Sequence, residues 1–237
     1  MGSIPLIITI LSCGVLLSTT RAEFSKFWLR QSINVPALQQ LGAALLNPGL
    51  LLPRFNYQSI NEIDADALYA MGTRYIVFDK DNTLSIPFMD TMELSIADKV
   101  ASLKDVKSSK FAGKMAILSN SAGSSDDDDY LLAAATERGL GLPVIRHALK
   151  KPRCLAEVLQ HFGPHARPDQ VCVVGDRLLT DVMFGNMHGM TTILVAPLSV
   201  RRDHIVAVVI RAMERAVLLP LARALLLFSR AVGFART

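Results

Sequence analysis

Four short apolar runs, separated by longer helical patterns, constrain the fold of this chain more than any other feature. The runs span residues 75–78, 115–118, 171–174 and 191–195, and each ends at a turn that contains Gly, Asp, Ser or Pro. They are partly β-branched and too short to be helices, so they predict buried strands.

Helical patterns lie between these runs, at residues 94–103, 129–138, 155–162 and 180–187. Strands that alternate with helices predict an α/β fold, in which a central parallel sheet is covered on both faces as a Rossmann-like three-layer sandwich. In sheets of this kind the functional residues gather at the carboxyl ends of the strands.

Composition divides the chain into segments. With 51% hydrophobic and 19% charged residues, the chain must bury a core or meet a membrane. We expect an α/β domain at 61–200, preceded by an apolar targeting or anchor segment at 1–22 and an amphipathic, helical, membrane-associating segment at 23–60. A basic amphipathic helical tail is expected at 201–237.

The N-terminal segments allow more than one interpretation. Residues 1–22 have no basic stretch before their apolar run and contain a single arginine, so they define no destination. Trp28 beside Lys26 and Arg30 is typical of a helix at a membrane interface. A helix packed on the domain is an equal alternative.

The net charge of +4 is too small to predict a nucleic-acid partner, and its excess lies in the tail. At helical spacing, four tail arginines fall on one side beside apolar residues, which predicts binding to an anionic bilayer. Helices packed on the core are the alternative, and Pro220 is expected to break or restart the helix. The four residues are Arg211, Arg215, Arg223 and Arg230.

Polar residues with complementary chemistry follow the apolar runs. Asp79 and Asp81 follow the first run and are two residues apart, so on an extended chain both carboxylates point to one side. Two such carboxylates need a cation. Other runs lead to groups that suit a phosphoryl group and a divalent metal, namely Ser119, Asn120, Lys151, Asp176 and Asp181.

Each of these signals is ordinary when it is taken alone. An Asp at the end of a strand is usually a turn or helix-capping residue. Asp181 could be a first-turn acid favoured by a helix dipole, and Lys150 and Lys151 could be a solvated pair. Four signals in one order, at the ends of separate apolar runs, favour a catalytic site.

These residues resemble the four motifs of haloacid dehalogenase (HAD) superfamily phosphatases. The strings are FDKDNTL, LSNS, KKP and GDRLLTD. Together with NPGLLLP and RHALKKP, they resemble the mitochondrial and bacterial phosphatidylglycerophosphate phosphatase branch. The resemblance covers residues 34–197.

The resemblance implies roles for individual residues. Asp79 is the nucleophile that forms an aspartyl-phosphate, and Asp81 is the general acid and base. Thr83 orders the loop at the substrate, Ser119 and Asn120 bind the phosphoryl group, and Lys151 neutralises it and holds Asp79. Mg²⁺ is bound by Asp79, Asp176 and the backbone carbonyl of Asp81, with support from Asp181.

The spacing of the motifs bears on the substrate. Residues 84–113 and 121–150 leave no room for a sizeable cap domain, so an open site suits a phosphate on a membrane surface or a protein. Together with this open site, the resemblance implies a magnesium-dependent phosphatidylglycerophosphate phosphatase that serves cardiolipin synthesis on the matrix side of the mitochondrial inner membrane. A plastid or another organelle membrane is the alternative location.

Two other functions compete with this one. The first is a HAD phosphatase for a phosphoprotein or a soluble phosphate ester. The second is an inactive HAD domain that binds phosphate-bearing lipids as an adaptor, which the intact motifs disfavour. The sequence defines no oligomeric state.

Overall fold

The computed structural model describes residues 41–199, 203 and 205–231 of the chain. The segment predicted at 1–22, and residues 23–40 of the following one, lie outside the described residues. The domain boundaries at 60 and 200 stay a prediction.

Five parallel strands form one sheet in the order β1-β5-β4-β2-β3. This sheet confirms the predicted α/β fold. The strands are β1 (Phe55–Tyr57), β2 (Tyr75–Phe78), β3 (Met115–Ile117), β4 (Val171–Gly175) and β5 (Thr191–Val195).

Strand β1 was not predicted. It lies inside the segment expected to be helical, and it pairs with β5 at the edge of the sheet. Three residues are too few to show an alternating pattern, so the pairing with Thr191–Val195 defines this strand rather than a local signal.

Two apolar clusters cover the two faces of the sheet. Ile76 and Phe78 belong to the larger cluster, whereas Val77 between them belongs to the second. Successive side chains of a strand point to opposite faces, so β2 is buried on both sides. This is the three-layer arrangement that the continuous apolar runs predict.

Helices return the chain between the strands, and no cap domain stands among the described residues 79–175. The α-helices are α1 (Leu41–Leu46), α2 (Ala65–Ala70), α3 (Leu94–Lys104), α4 (Leu131–Leu140), α5 (Leu155–Phe162), α6 (Met183–Met187), α7 (Ile205–Met213) and α8 (Leu219–Ala231). Short 3₁₀ segments are Pro48–Leu51, Ile60–Glu62, Asp128–Tyr130 and Pro168–Gln170, and π-helical turns are Leu178–Val182 and Glu214–Leu218.

Helix α7, the π-turn Glu214–Leu218 and α8 follow one another without a gap, and we call them together the C-terminal helix. Pro220 does not interrupt it. The backbone N–H of Leu219 bonds to the carbonyl of Glu214, five residues earlier, so the wider turn accommodates the proline that follows. No helix among the described residues is both long and apolar enough to cross a bilayer.

Three of the four predicted tail arginines have described side chains, and these three do not share one exposed face, contrary to the prediction; the side chain of Arg230 lies outside the described part of the chain. Arg211 is buried at 6% exposure, Arg215 is half-buried, and Arg223 is exposed. Arg211 lies inside because Asp176 and Asp203 pair with its guanidinium. The side of the C-terminal helix that meets the sheet is therefore partly ionic.

Candidate active site

The predicted site residues meet at the carboxyl edge of the sheet. Phe78 of β2 is in register with Val174 of β4, so Asp79 and Asp176 leave neighbouring strands at nearly the same level. The backbone N–H of Asp79 donates to the carbonyl of Val174 at 2.8 Å. The parallel pairing therefore brings together two carboxylates that lie almost a hundred positions apart in the sequence.

Asp79, Asp176 and Asp181 form one acidic cluster. One carboxylate oxygen from each lies within 4.8 Å of the others. Asp176 and Asp181 are each 1% exposed. Asp176 Oδ1 is buried without a hydrogen bond among the described residues, whereas Oδ2 lies 2.5 Å from Arg211 Nε. Buried carboxylates in this arrangement fit a hard divalent cation such as magnesium.

Gly175 makes this cluster possible. A Cβ on Gly175 would lie 2.3 Å from the Asp181 carboxyl carbon, far inside van der Waals contact. Asp181 itself is fixed through both oxygens, because Oδ1 pairs with Lys151 at 2.6 Å and Oδ2 accepts the backbone N–H of Arg177 at 3.2 Å. The side chain of Asp181 thus supports the site, while that of Asp176 is directed into it.

Lys151 lies beneath the cluster, 1% exposed. Its Nζ is 2.6 Å from Asp79 Oδ1 and 2.6 Å from Asp181 Oδ1. Burial disfavours the charged ammonium, but the carboxylates of Asp181 and Asp79 outweigh it and raise the pKa of Lys151. Lys151 is therefore a permanent cation next to Asp79, as the resemblance implied.

The carboxylates need more positive charge than Lys151 supplies. Burial raises the pKa of Asp79 to about 7 against the opposing effect of Lys151, and the charges of Asp181 and Asp176 add to the rise. Burial likewise raises the pKa of Asp176 to about 6, although Arg211 opposes it. Asp79 and Asp176 repel each other when both are ionised. A cation bound between them would stabilise the ionised forms of both carboxylates.

Asp81 lies outside the acidic cluster but lines the same cavity as Asp79. Its side chain is 40% exposed and lies 3.3 Å from Lys80 Nζ, which also pairs with Asp90 at 3.2 Å. A carboxylate that borders the cavity and is free of the cluster suits proton transfer to and from a substrate.

Ser119 and Asn120 line the cavity as predicted. The side-chain carbonyl of Asn120 accepts the backbone N–H of Lys151 at 3.2 Å, so its amide N–H groups remain for a ligand. Ser121 also lines the cavity, and its hydroxyl is 3.0 Å from that of Ser119. Thr83 is buried and does not line the cavity.

Three cavity residues come from the tail and were not predicted as site residues: Asp203, Ala207 and Arg211. Glu214, one turn further along, is 1% exposed and accepts the backbone N–H of Leu178 at 2.8 Å. It is the only acid between residues 204 and 237, and an isolated acid in an apolar helix was the signal that could have marked it.

Within the acidic run 126–129, Asp127 caps a helix. Asp127 accepts the backbone N–H groups of Leu132 and Ala133 at 2.8 Å each, at the start of α4. A carboxylate in this position satisfies otherwise unpaired N–H groups. Asp126 pairs with Lys150.

The part of the sequence that carries Asp79, Lys151 and Asp181 also matches known proteins. A family model described as mitochondrial PGP phosphatase matches residues 35–199. The chain is 43% identical over 171 residues to phosphatidylglycerophosphate phosphatase 1, chloroplastic, of Chlamydomonas reinhardtii, a match that covers 71% of this chain and 61% of that protein.

Two further relatives have related names. The chain is 33% identical over 193 residues to the chloroplastic/mitochondrial phosphatidylglycerophosphate phosphatase 1 of Arabidopsis thaliana, covering 80% of this chain and 54% of the relative. It is 36% identical over 150 residues to a mitochondrial phosphatidylglycerophosphatase of Saccharomyces cerevisiae, covering 62% and 75%. The matches span little more than half the length of the two algal and plant relatives.

Proposed function

Because this chain belongs to the mitochondrial PGP phosphatase family, a branch of the HAD superfamily, we propose that it hydrolyses phosphatidylglycerophosphate to phosphatidylglycerol and phosphate. The observation that carries this function is the pairing of Asp79 with Lys151 inside a cluster of three carboxylates at the carboxyl edge of the sheet. Phosphatidylglycerol is the precursor of cardiolipin, so the enzyme serves that synthesis.

Asp79 is the nucleophile in this proposal. The contact with Lys151 uses Oδ1 and leaves Oδ2 to attack the terminal phosphorus of the lipid. The new bond joins Oδ2 to phosphorus while the bond from phosphorus to the glycerol oxygen breaks. The products of this step are an aspartyl-phosphate and a glycerol alkoxide.

Asp81 moves the protons. It gives its proton to the departing alkoxide, and in the second step it takes one from a water that attacks the same phosphorus. The bond to Asp79 then breaks and inorganic phosphate leaves. The exposed carboxylate of Asp81 at the cavity, held by Lys80, supports this double role.

Ser119, Asn120 and Lys151 bind and orient the phosphoryl group. The first two line the cavity with donors, and the fixed ammonium offsets charge that builds on the phosphoryl oxygens. Asp79 and Asp176, with the backbone carbonyl of Asp81, would hold Mg²⁺, with support from Asp181, and a metal at this place would supply Lewis-acid polarisation of the phosphoryl group.

We propose that the C-terminal helix docks the protein on a bilayer. Its outward residues recur every four positions and are 37–78% exposed, and we call them the apolar face: Ile205, Val209, Met213, Val217, Leu221 and Leu225. The opposite side carries Ala207 and Arg211 into the cavity wall. An apolar face about 30 Å long, at 1.5 Å per residue, suits a membrane surface.

Vesicle flotation tests this docking. The double variant Val209→Asp, Val217→Asp should lose binding to vesicles that contain phosphatidylglycerol, and its rate on lipid should fall relative to its rate on a soluble ester. Val106→Asp is the matched control, because Val106 is 85% exposed and lies outside the C-terminal helix. Unchanged binding, or a change of oligomeric state without a change of binding, would contradict the membrane role.

The names of the relatives include mitochondrial and chloroplastic forms, and for this chain we propose the mitochondrion, on the matrix side of the inner membrane. That side is where an anionic phospholipid made in the organelle would meet the apolar face.

Magnesium-dependent phosphate release tests the activity. Purified protein should release phosphate from phosphatidylglycerophosphate in vesicles faster than from soluble phosphate esters or a phosphopeptide. Asp79→Asn and Asp81→Asn should abolish release, whereas Asp98→Asn, at an exposed position of α3, should leave it unchanged. A preference for the soluble esters would refute the lipid substrate, and a normal rate after Asp79→Asn would refute the nucleophile.

A further inference from the structure

Arg211 is a buried cation at the wall of the catalytic cavity, although it comes from a segment beyond the family match. It is 6% exposed and lines the cavity with Asp79, Asp81 and Ser119. The matched residues end at 199, twelve positions before it. None of the four sequence motifs accounts for a charge at this place.

The guanidinium contacts the loop after β4 directly and the loop after β2 through Asp203. Arg211 Nη1 donates to Asp203 Oδ2 at 2.8 Å, and the amide of Asn82, in the loop after β2, donates to the same Asp203 oxygen at 2.9 Å. Arg211 Nε lies 2.5 Å from Asp176 Oδ2, in the loop after β4. These contacts within the protein therefore fix the position of Arg211 relative to Asp79 before any substrate binds.

The proposed substrate carries two phosphates separated by one glycerol. Lys151 is committed to Asp79 and Asp181, so it serves the phosphate that is transferred. Among the described lining residues the basic side chains are Arg177 and Arg211. Arg177 pairs with Glu214, and Glu214 does not line the cavity. Arg211 pairs with Asp176 and Asp203, and both of these residues line the cavity.

We propose that Arg211 binds the second phosphate of the substrate, the phosphodiester that links the glycerol headgroup to the diacylglycerol. This inference rests on the proposed function. The contacts with Asp203 and Asp176 use Nη1 and Nε, and Nη2 is the nitrogen that reaches the phosphodiester. A guanidinium fork can serve a carboxylate and a phosphate together.

Ala207 gives the phosphodiester room. It lies one turn before Arg211 on the same side of α7 and lines the cavity. A larger side chain there would fill the space in front of the guanidinium. Arg211 and Ala207 together select a phosphomonoester that carries a second anion one glycerol away.

Steady-state kinetics on two lipids test this inference. Phosphatidylglycerophosphate carries both phosphates, whereas phosphatidic acid carries a terminal phosphate alone. Arg211→Gln should lower kcat/KM for phosphatidylglycerophosphate at least about 10-fold, mainly through KM, as expected for loss of a charge-assisted hydrogen bond. For phosphatidic acid the loss should be several-fold smaller, and Arg211→Lys should recover part of the difference.

A matched control and a metal titration complete the test. Arg138→Gln changes an exposed arginine of α4 and should alter neither ratio. Equal losses on both lipids, together with a changed magnesium affinity, would show that Arg211 only balances the charge of Asp176, and would overturn the inference. If the wild-type protein released no phosphate from either lipid, the proposed function would fail instead.

Discussion

Glu214 gives the sharpest test of whether the C-terminal helix is part of the catalytic unit. It accepts the backbone N–H of Leu178 at 2.8 Å and pairs with Arg177 at 3.3 Å, and both residues lie between Asp176 and Asp181 of the acidic cluster. Glu214→Ala leaves a buried N–H and a largely buried guanidinium without their partner. Removing one member of a buried pair costs about 3–5 kcal/mol.

That loss converts into a measurable shift of the melting temperature. For a chain of this size each kcal/mol corresponds to a few degrees, so Glu214→Ala should melt about 6–20 °C below the wild type. Glu214→Gln keeps the volume and one acceptor oxygen, so its shift should be smaller. Differential scanning calorimetry measures both, with Asp98→Ala, at an exposed position of α3, as the control.

Magnesium titration separates a local effect from a general one. Because Glu214 acts on the loop that carries Asp181, the Gln variant should bind magnesium more weakly at temperatures where it is fully folded. If Glu214→Ala melted within a degree or so of Asp98→Ala and both bound magnesium like the wild type, the C-terminal helix would not be part of the catalytic unit.

Three further predictions concern the acidic cluster. Lys151→Met should lower kcat by about 100- to 1,000-fold in phosphate-release assays, since it removes a preorganised cation at the transferring phosphate; a loss below threefold would contradict that role. Because raised pKa values of about 7 for Asp79 and about 6 for Asp176 keep protons bound at higher pH, magnesium affinity measured by calorimetry should fall by about 10-fold or more from pH 8 to pH 6, with protons released on binding; a pH-independent affinity would count against the cluster. Gly175→Ala should displace the Asp181 carboxylate and abolish magnesium binding, whereas Gly42→Ala, where a Cβ meets nothing within 4 Å, should not; normal binding by Gly175→Ala would show that Asp181 is dispensable.

Sequence patterns predicted the central strands and most of the site for a physical reason. A strand buried on both faces must be apolar throughout, so β2 and β4 are visible as runs that end where their polar residues begin. Parallel pairing then requires Asp79 and Asp176 to meet at one edge. The ends of the apolar runs, which are visible in the sequence, therefore also mark where Asp79 and Asp176 meet in the structure.

The contribution of the tail could not be predicted in the same way. A helical periodicity shows that Arg211 and Glu214 share a side of a helix, but it does not show what that side contacts. Their partners, Asp176 and the N–H of Leu178, lie more than thirty residues away. In sequence, a basic stripe beside apolar residues is equally consistent with a membrane surface and with a buried ion pair.

Phosphoryl trapping tests whether Asp79 becomes phosphorylated during turnover. Protein turning over phosphatidylglycerophosphate labelled in its terminal phosphate is quenched in acid, digested, and analysed for the position of the label. We expect labelled phosphate in solution and a label on the peptide that contains Asp79. The label should be absent in Asp79→Asn, and it should increase in Asp81→Asn if the second step slows more than the first. Folded, magnesium-binding protein that neither releases phosphate from this lipid nor carries a label on Asp79 would contradict this expectation.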